Sequence, residues 1–327
     1  MLWKAHSPAL VTDAEASCIH PPQGWAWLSL ALVAVVPVIG MGAATAEQDL
    51  KSFQVQVGLQ NTAFLNVNRS DAEASFKAFT TMAGQRHGYT LDIKIQVFDN
   101  AHTFAPVVTN QVIHILVIDV WDYLEINLGD NIEPRFVFAR SGGPGEKYLL
   151  MTRQDSNFKS LSDLCGKEAV LVRSTNAKMG PKWLESLTRE AQLGMPGDFF
   201  GKLELVEKPS LAALPVFFGK KQACIITRAG FEVMKELNPQ VGRELAPLMV
   251  SDELIETIVC INRRDWPTPE GREELLRAIE ELQQDPAGQQ ILRLFKAERA
   301  LPFRPEHLET MRKLKATLSR GLVKDNP

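Results

Sequence analysis

The run VIHILVIDV at positions 112–120 decides the fold class, because nearly all of its residues are apolar. A strand with one face in water alternates apolar and polar residues, whereas a strand covered on both faces has no need to alternate. The run therefore predicts a central strand that lies between two layers of helices.

Strand-like and helix-like segments alternate on both sides of this run. FQVQVGL (53–59) and LDIKIQVF (91–98) alternate polar and apolar residues, and residues 68–82 between them have helical spacing. Further strands are predicted at 135–139, 148–153, 169–173, 203–206, 223–227, 245–250 and 257–262. Further helices are predicted at 103–111, 160–165, 178–191, 211–218 and 230–237, and from 270 to near the end, with breaks around Asp285-Pro286 and Leu301-Pro302. This alternation indicates an α/β fold of mostly parallel sheets with helices on both faces.

The length and net charge of the chain argue against a single-core domain and against a nucleic-acid-binding function. Its 327 residues exceed the usual length of a single-core domain. It has 36 Lys and Arg against 39 Asp and Glu, so its net charge is −3. No basic field is available to hold nucleic acid, and we predict no nucleic-acid partner.

The N-terminal segment predicts export. Residues 25–46 contain no charged residue and end in Ala44-Thr45-Ala46, which fits the small-x-small pattern for signal peptidase. Cleavage after Ala46 would make residues 1–46 a signal peptide and place the protein in the periplasm. A run of this length also suffices to span a bilayer, so a retained inner-membrane anchor is the alternative.

Sequence motifs for catalysis are absent. The chain has no Gly-x-Ser-x-Gly, no Walker-type phosphate-binding loop and no dinucleotide-binding glycine pattern. Its six His residues lack the spacing of metal ligands. We therefore predict no catalytic residue, no metal and no cofactor.

The loop at Arg173–Asn176 is the strongest local candidate for a binding site. It joins a predicted strand to a predicted helix, whose N-terminus presents unpaired backbone N–H groups. Ser174 and Thr175 add hydroxyl donors, so the loop would hold an oxyanion, although a plain helix cap has the same composition. Trp121 and Tyr123 follow another strand and would either wall a pocket or pack the domain edge.

Several segments, taken in order, resemble one family. They are NRSDAEASFKAFTTMAGQRHG (68–88), HILVIDVWDYLEI (114–126), KYLLMTRQDSNFKSLSDLCGK (147–167), VRSTNAKMG (172–180) and FGKKQACIITRAGFE (218–232). Their sequence and spacing resemble the phosphonate-type periplasmic solute-binding proteins of ABC transporters. The resemblance implies the two-lobed type II periplasmic-binding-protein fold, with a small anionic ligand in the cleft between the lobes and a cognate ABC permease as partner.

The resemblance also implies lobes and site residues. One lobe would comprise residues 47–154 and 251–327, and the other residues 155–250. Closure of the lobes would bury the ligand. The residues that match the family's binding positions are Ser174, Thr175 and Asn176 in the anion-binding loop, Gln60, Asn61 and Thr62 after the first strand, His102 and Thr103 after the second, Trp121 or Tyr123 after the third, and Thr227 and Arg228 at a strand end.

One departure from the family pattern concerns the ligand. Relatives often have Gly-x-x-Asp-Ala where this chain has Gly219-Lys220-Lys221-Gln222-Ala223. The neutral Gln222 predicts that an acidic group for an amine is missing, which argues against an aminoalkyl phosphonate. The leading hypothesis is a binding protein for phosphate, phosphite or phosphonate. The alternatives are a ligand sensor, anchored or linked to a partner, and an enzyme on the same fold.

Overall fold

Eleven strands form two sheets in the residues that this computed structural model describes, namely 51–63, 69–100, 103, 106–108, 112–140, 143–174 and 178–322. The predictions made for residues 1–46, His102, Thr175 and Asn176 fall outside these ranges. Within the described residues, no helix has both the length and the apolar composition to cross a bilayer.

The first sheet is built around the strand that the sequence singled out. Its order is β11-β4-β10-β3-β1-β2. Strand β3 (Ile115–Asp119) is buried at every position, which confirms the prediction of a strand covered on both faces. The other strands are β1 (Lys51–Gln60), β2 (Tyr89–Phe98), β4 (Ile132–Ala139), β10 (Thr257–Asn262) and β11 (Arg299–Pro302).

The second sheet has the order β7-β6-β8-β5-β9. Its central strand β8 is buried throughout, since four of the five residues of ACIIT are apolar and the hydroxyl of Thr227 accepts a hydrogen bond from Gly230. The strands are β5 (Tyr148–Arg153), β6 (Glu168–Val172), β7 (Lys202–Val206), β8 (Ala223–Thr227) and β9 (Leu245–Val250).

The sheets are mixed rather than mostly parallel. The pairs β1–β2, β1–β3, β6–β7 and β6–β8 are parallel, as predicted for strands joined through helices. Strands β10 and β11 run antiparallel to their neighbours, and so does β5. The physical reason is that β5 and β10 enter their sheets directly from the other sheet, so no helical crossover fixes a parallel direction.

The helices begin where the sequence provides caps. Thr227, Thr268 and Asp285 each accept a hydrogen bond from a backbone N–H of the first turn that follows. The helices are α1 (Arg69–His87), α2 (Val120–Tyr123), α3 (Gly180–Glu190), α4 (Pro196–Phe199), α5 (Pro209–Phe217), α6 (Arg228–Leu237), α7 (Pro239–Glu244), α8 (Pro269–Glu280), α9 (Pro286–Leu294) and α10 (Glu309–Leu322). Of the helix predicted at 103–111, the structure describes residue 103 and residues 106–108, which are helical.

Two apolar clusters form the core. One covers a face of the first sheet with α1, α8 and α9, and includes Phe79, Leu275 and Ile291. The other fills the second sheet and extends to the opposite face of the first sheet. Helix α10 joins this second cluster through Met311, and the Thr317 hydroxyl donates to Glu190 Oε1 of α3 at 2.9 Å. The C-terminal helix therefore packs against the second sheet, although its sequence position assigned it to the first lobe.

The chain crosses between the sheets twice through paired segments. Residues 140–147 connect β4 to β5, and residues 251–256 connect β9 to β10. The two segments exchange backbone hydrogen bonds, with Glu146 and Leu254 each donating to the other at 2.9 Å. Strand β5 had been assigned to the first lobe, yet it pairs within the second sheet. The division into two lobes itself stays a prediction.

Buried His114 predicts a loss of stability in acid. Its Nδ1 accepts from the backbone N–H of Gln56 at 2.9 Å, and its Nε2 lies 3.0 Å from the carbonyl of Asp265, so a neutral ring satisfies both contacts. Burial lowers the pKa of His114. Below about pH 6.5 the unfolded chain takes up a proton on this histidine, whereas the folded ring resists protonation. The free energy of unfolding therefore decreases as the pH is lowered. His114→Asn should unfold with a weaker dependence on pH between 7.5 and 5.5 in urea titrations. Equal dependence in both proteins would contradict this role.

Candidate ligand-binding cleft

A cavity lies at the carboxyl edge of the parallel strands of the second sheet. Strands β6, β7 and β8 end at Val172, Val206 and Thr227, and open α/β sheets bind ligands beyond such ends. The cavity has a volume of about 550 Å³, and its wall on this side includes Ser174, Ser210 and Thr227. This volume is in the range of small-molecule sites.

The opposite wall comes from the elements of the first sheet. Arg140 directly follows β4, and Lys296 lies between α9 and β11. Glu146, in the crossing segment, completes this wall. A second recess of about 40 Å³ shares Arg140, Glu146 and Lys296, and extends to Thr62 and Lys178. The cavity and the recess together form a continuous cleft between the two sheets.

Glu146 occupies the N-terminus of α6. Its Oε2 lies 2.6 Å from Arg140 Nη1, and its Oε1 accepts from the backbone N–H of Ala229 at 3.3 Å. Gly230 donates its N–H to Thr227 Oγ1, and Arg228 donates its N–H to the carbonyl of Lys147. The first turn of α6 is thus satisfied internally and does not offer its N–H groups to an outside anion.

Lys178 joins the start of α3 to the strand ends of the first sheet. Its Nζ lies 2.5 Å from Asp119 Oδ2 and donates to the carbonyl of Thr62 at 3.0 Å. Gln60 positions these loops, since its Oε1 accepts from Asp119 N–H at 2.9 Å and its Nε2 donates to Asp122. The charge of Lys178 is therefore already balanced by Asp119.

Tyr148 and Glu256 hold the crossing segments against α3. The Tyr148 hydroxyl donates to Glu256 Oε1 at 2.6 Å and accepts from the backbone N–H of Met179 at 3.2 Å. Burial raises the pKa of both Tyr148 and Glu256. Glu256 also lies 4.0 Å from Arg140, so the second carboxylate of the cleft is engaged as well.

Lys296 is a cation of the cleft that lines both the cavity and the recess, and the carboxylate of Glu256 acts on it electrostatically from a distance. Among the described residues, no carboxylate forms a salt bridge with its ammonium, while its carbonyl accepts from Arg140 Nε at 3.0 Å. Partial desolvation lowers the pKa of Lys296, and the charge of Arg140 adds to the effect. A bound anion would relieve both penalties. Within the same described residues, no group of His, Cys, Asp and Glu has the geometry of a metal site.

The structure brings three predicted site residues to the cleft, while Asn61 and Trp121 lie nearby without lining it. Ser174 and Thr227 line the larger cavity, and Thr62 lines the recess. Asn61 is exposed beside Thr62 in a short 3-10 turn. Trp121 is half-buried at the start of α2, where Lys182 Nζ lies 3.8 Å from the centroid of its ring.

Other predicted site residues lie elsewhere. The Thr103 hydroxyl donates to the carbonyl of Asn100, and this exposed residue lines neither part of the cleft. Tyr123 packs against the core, where burial raises its pKa. Arg228 is exposed and lines neither part of the cleft.

The inference drawn from Gln222 is wrong. Gln222 immediately precedes β8, at the end opposite to Thr227, and its Oε1 accepts from Glu168 N–H at 3.0 Å. It therefore lies at the far edge of the sheet and takes no part in choosing a ligand. The acidic groups of the cleft include Glu146 and Glu256, which sequence reasoning missed together with Arg140, Lys178 and Lys296. These residues belong to no short motif, and their only local signal is that each lies within a few residues of a strand or helix end.

Comparison with known proteins agrees with this architecture. A Xanthomonas citri protein bound to chloride is 14% identical, with a TM-score of 0.55, over 82% of this chain and 98% of its own. A binding-protein component of an ABC phosphonate transporter from Pseudomonas aeruginosa is 16% identical, with a TM-score of 0.51, over 84% and 89%. PhnD1 from Prochlorococcus marinus, in complex with methylphosphonate, is 14% identical, with a TM-score of 0.52, over 82% and 98%.

These likenesses show the type II periplasmic-binding-protein fold that the sequence predicted. None of the curated proteins is significantly similar to this chain. The model of one family, described as the periplasmic phosphonate substrate-binding protein of ABC transporters, matches residues 62–308. The chain therefore belongs to this family of extracytoplasmic solute-binding proteins, which bind small anions for an ABC permease.

Proposed function

We propose that this protein binds a small oxyanion between Lys296 and the hydroxyls of Ser174 and Thr227, and that it catalyses no reaction. Lys296 carries the proposal, because it lines both parts of the cleft and forms no salt bridge with a described carboxylate. Arg140 and Lys178, by contrast, form salt bridges with Glu146 and Asp119.

The hydroxyl side of the cavity suits an oxyanion. Ser174 follows β6 at the carboxyl edge, where a hydroxyl can donate to an oxygen without adding charge. A lysine ammonium provides three donors from the opposite wall. Hydrogen bonds to a charged group contribute about 1.5–3 kcal/mol each, so a few contacts of this kind give useful affinity.

The relatives of known structure support a phosphonate as the ligand class. PhnD1 from Prochlorococcus marinus was solved with methylphosphonate, and the Pseudomonas aeruginosa protein is a component of a phosphonate transporter. We extend this class to the present chain because its cleft combines the ammonium of Lys296 with the neutral hydroxyl donors of Ser174 and Thr227. Phosphate and phosphite are the smaller anions to compare.

Export and movement complete the proposal. Residues 1–46 are removed as a signal peptide after Ala46, and the protein works in the periplasm rather than on a retained anchor. The two sheets belong to two lobes that close on the ligand, with segments 140–147 and 251–256 as the hinge. The two paired crossing segments suit this role, because the change in backbone dihedral angles at a hinge is confined to a few residues between rigid elements.

Thermal unfolding in the presence of anions tests the proposed function. Methylphosphonate, phosphate, phosphite and methanesulfonate should be compared, and an anion at a hundred times its Kd stabilises the folded state by about 2.7 kcal/mol. Ser174→Ala should weaken binding about tenfold by removing a hydrogen bond to a charged oxygen. Ser162→Ala, at an exposed serine in the 3-10 turn between β5 and β6, is the matched control. An absence of stabilisation by every anion, or unchanged binding in Ser174→Ala, would count against the site.

A further inference from the structure

The larger cavity has an apolar half that the oxyanion does not need. Helix α6 contributes Val233, Met234 and Leu237 to its wall, and Pro209 contributes from the start of α5. Val233 is 54% exposed and Leu237 is 82% exposed. Gly230, Val233, Met234 and Leu237 follow the spacing of one helix face, so this apolar strip is continuous.

The apolar strip leads away from the charged end of the cavity. Ala229 marks the charged end, since its N–H donates to Glu146, which pairs with Arg140. Leu237 lies eight residues further along α6, which corresponds to about 12 Å at the helical rise. The cavity is therefore an elongated groove with cations at one end and an apolar wall along its length.

The other charged side chains of the groove do not provide a binding partner for a charged group on the ligand's apolar end. Glu207 and Lys208 are exposed, have opposite signs and add no net charge. The carboxylates of the cleft are engaged, Glu146 with Arg140 and Glu256 with Tyr148. An ammonium at the apolar end of the ligand would lie against apolar side chains, and the carboxylate of Glu207 stands exposed to water rather than buried beside it.

We propose that the ligand is an amphipathic organic anion, with its oxyanion head at Lys296 and an apolar substituent along Val233 and Leu237. The proposal rests on the proposed function and narrows its ligand class. Contact with the substituent removes both apolar surfaces from water, which is favourable in proportion to the area buried. A small inorganic anion, or an aminoalkyl phosphonate, would not bury the apolar surface of Val233 and Leu237 and would bind without this favourable contribution.

Titration calorimetry with a homologous series tests the proposal. The full chain, expressed with its own N-terminal segment, is titrated with methyl-, butyl- and hexylphosphonate. A methylene that leaves water completely strengthens binding about fourfold, and about twofold in a groove open on one side. Hexylphosphonate should therefore bind about 30-fold more tightly than methylphosphonate, which has five fewer methylenes.

Variants of the apolar wall show whether the gain arises there. Val233→Thr with Leu237→Gln should bring the affinity for hexylphosphonate down to near that for methylphosphonate. Leu211→Gln, at an apolar residue that is 54% exposed on α5 outside the groove, should leave the chain-length dependence intact. Equal affinities of the unmodified protein for methyl- and hexylphosphonate would overturn this inference and leave the proposed function standing. No binding of any phosphonate would overturn both.

Discussion

Replacing Glu146 by alanine should lower the free energy of unfolding by about 3–5 kcal/mol, because the change leaves a partly buried Arg140 without its partner. The Glu146 side chain is 6% exposed and lies 2.6 Å from Arg140. It also accepts backbone N–H groups from Lys147 and Ala229, so three donors lose their acceptor together. Glu146→Gln keeps an acceptor in place and should cost less than alanine.

Urea unfolding of both variants measures this loss. Glu232→Ala is a matched control, since Glu232 pairs with Lys235 at 2.8 Å on the exposed face of α6. Exposed pairs contribute about 0–1 kcal/mol, so the control should stay close to the unmodified protein. A loss below about 1 kcal/mol for Glu146→Ala would show that the crossing segment does not depend on this ion pair.

Replacing Lys296 by glutamine should weaken phosphonate binding about 30-fold. The change removes a charge-assisted hydrogen bond of about 2 kcal/mol. Stability should change little, because no carboxylate of the described residues forms a salt bridge with Lys296. Because the pKa of Lys296 is lowered, affinity should also decline as the pH rises, and it should do so earlier than for an ordinary lysine.

Calorimetry at several pH values measures both effects. Lys220→Gln makes the same charge change at an exposed residue of the far sheet edge, next to Gln222. This control should bind as the unmodified protein does and keep its pH dependence. Unchanged affinity in Lys296→Gln would remove the residue from the site, and equal losses in the two variants would reduce its role to general charge attraction.

Periodicity was enough to predict most elements of the fold. Strands 148–153, 223–227, 245–250 and 257–262 occur with the predicted bounds, since each is a short apolar run between turn signals. The direction of each strand relative to its neighbours could not be predicted, because an apolar run indicates that a strand is buried but not whether it pairs in parallel or antiparallel. Strand β11 was not predicted, although a break in the helical region was expected at Leu301-Pro302, since four residues at a sheet edge have little pattern of their own.

The candidate site, like the fold, contains residues that the sequence could predict and residues that it could not. Ser174 and Thr227 could be predicted, because a residue after a parallel strand reaches the ligand edge by a local rule. Arg140 and Lys296 could not, because the pairing of Arg299 with Ala139 brings these distant positions together. The register between β4 and β11 depends on the packing of the whole sheet. The residues next to Arg140 and Lys296 in the sequence do not determine that register.

The contact between Lys182 and Trp121 makes the cleft observable by its own fluorescence. Trp121 stands at the end of β3, whereas Lys182 belongs to α3 beside the second sheet. Of the other described tryptophans, Trp183 is buried beside Tyr148 and Trp266 lies beside His114. A movement that separates the sheets would withdraw the ammonium from the Trp121 indole and change the exposure of that ring to water, while Trp266 keeps its surroundings. Opening of the cleft should thus be followed in real time through a natural chromophore, without attaching a dye.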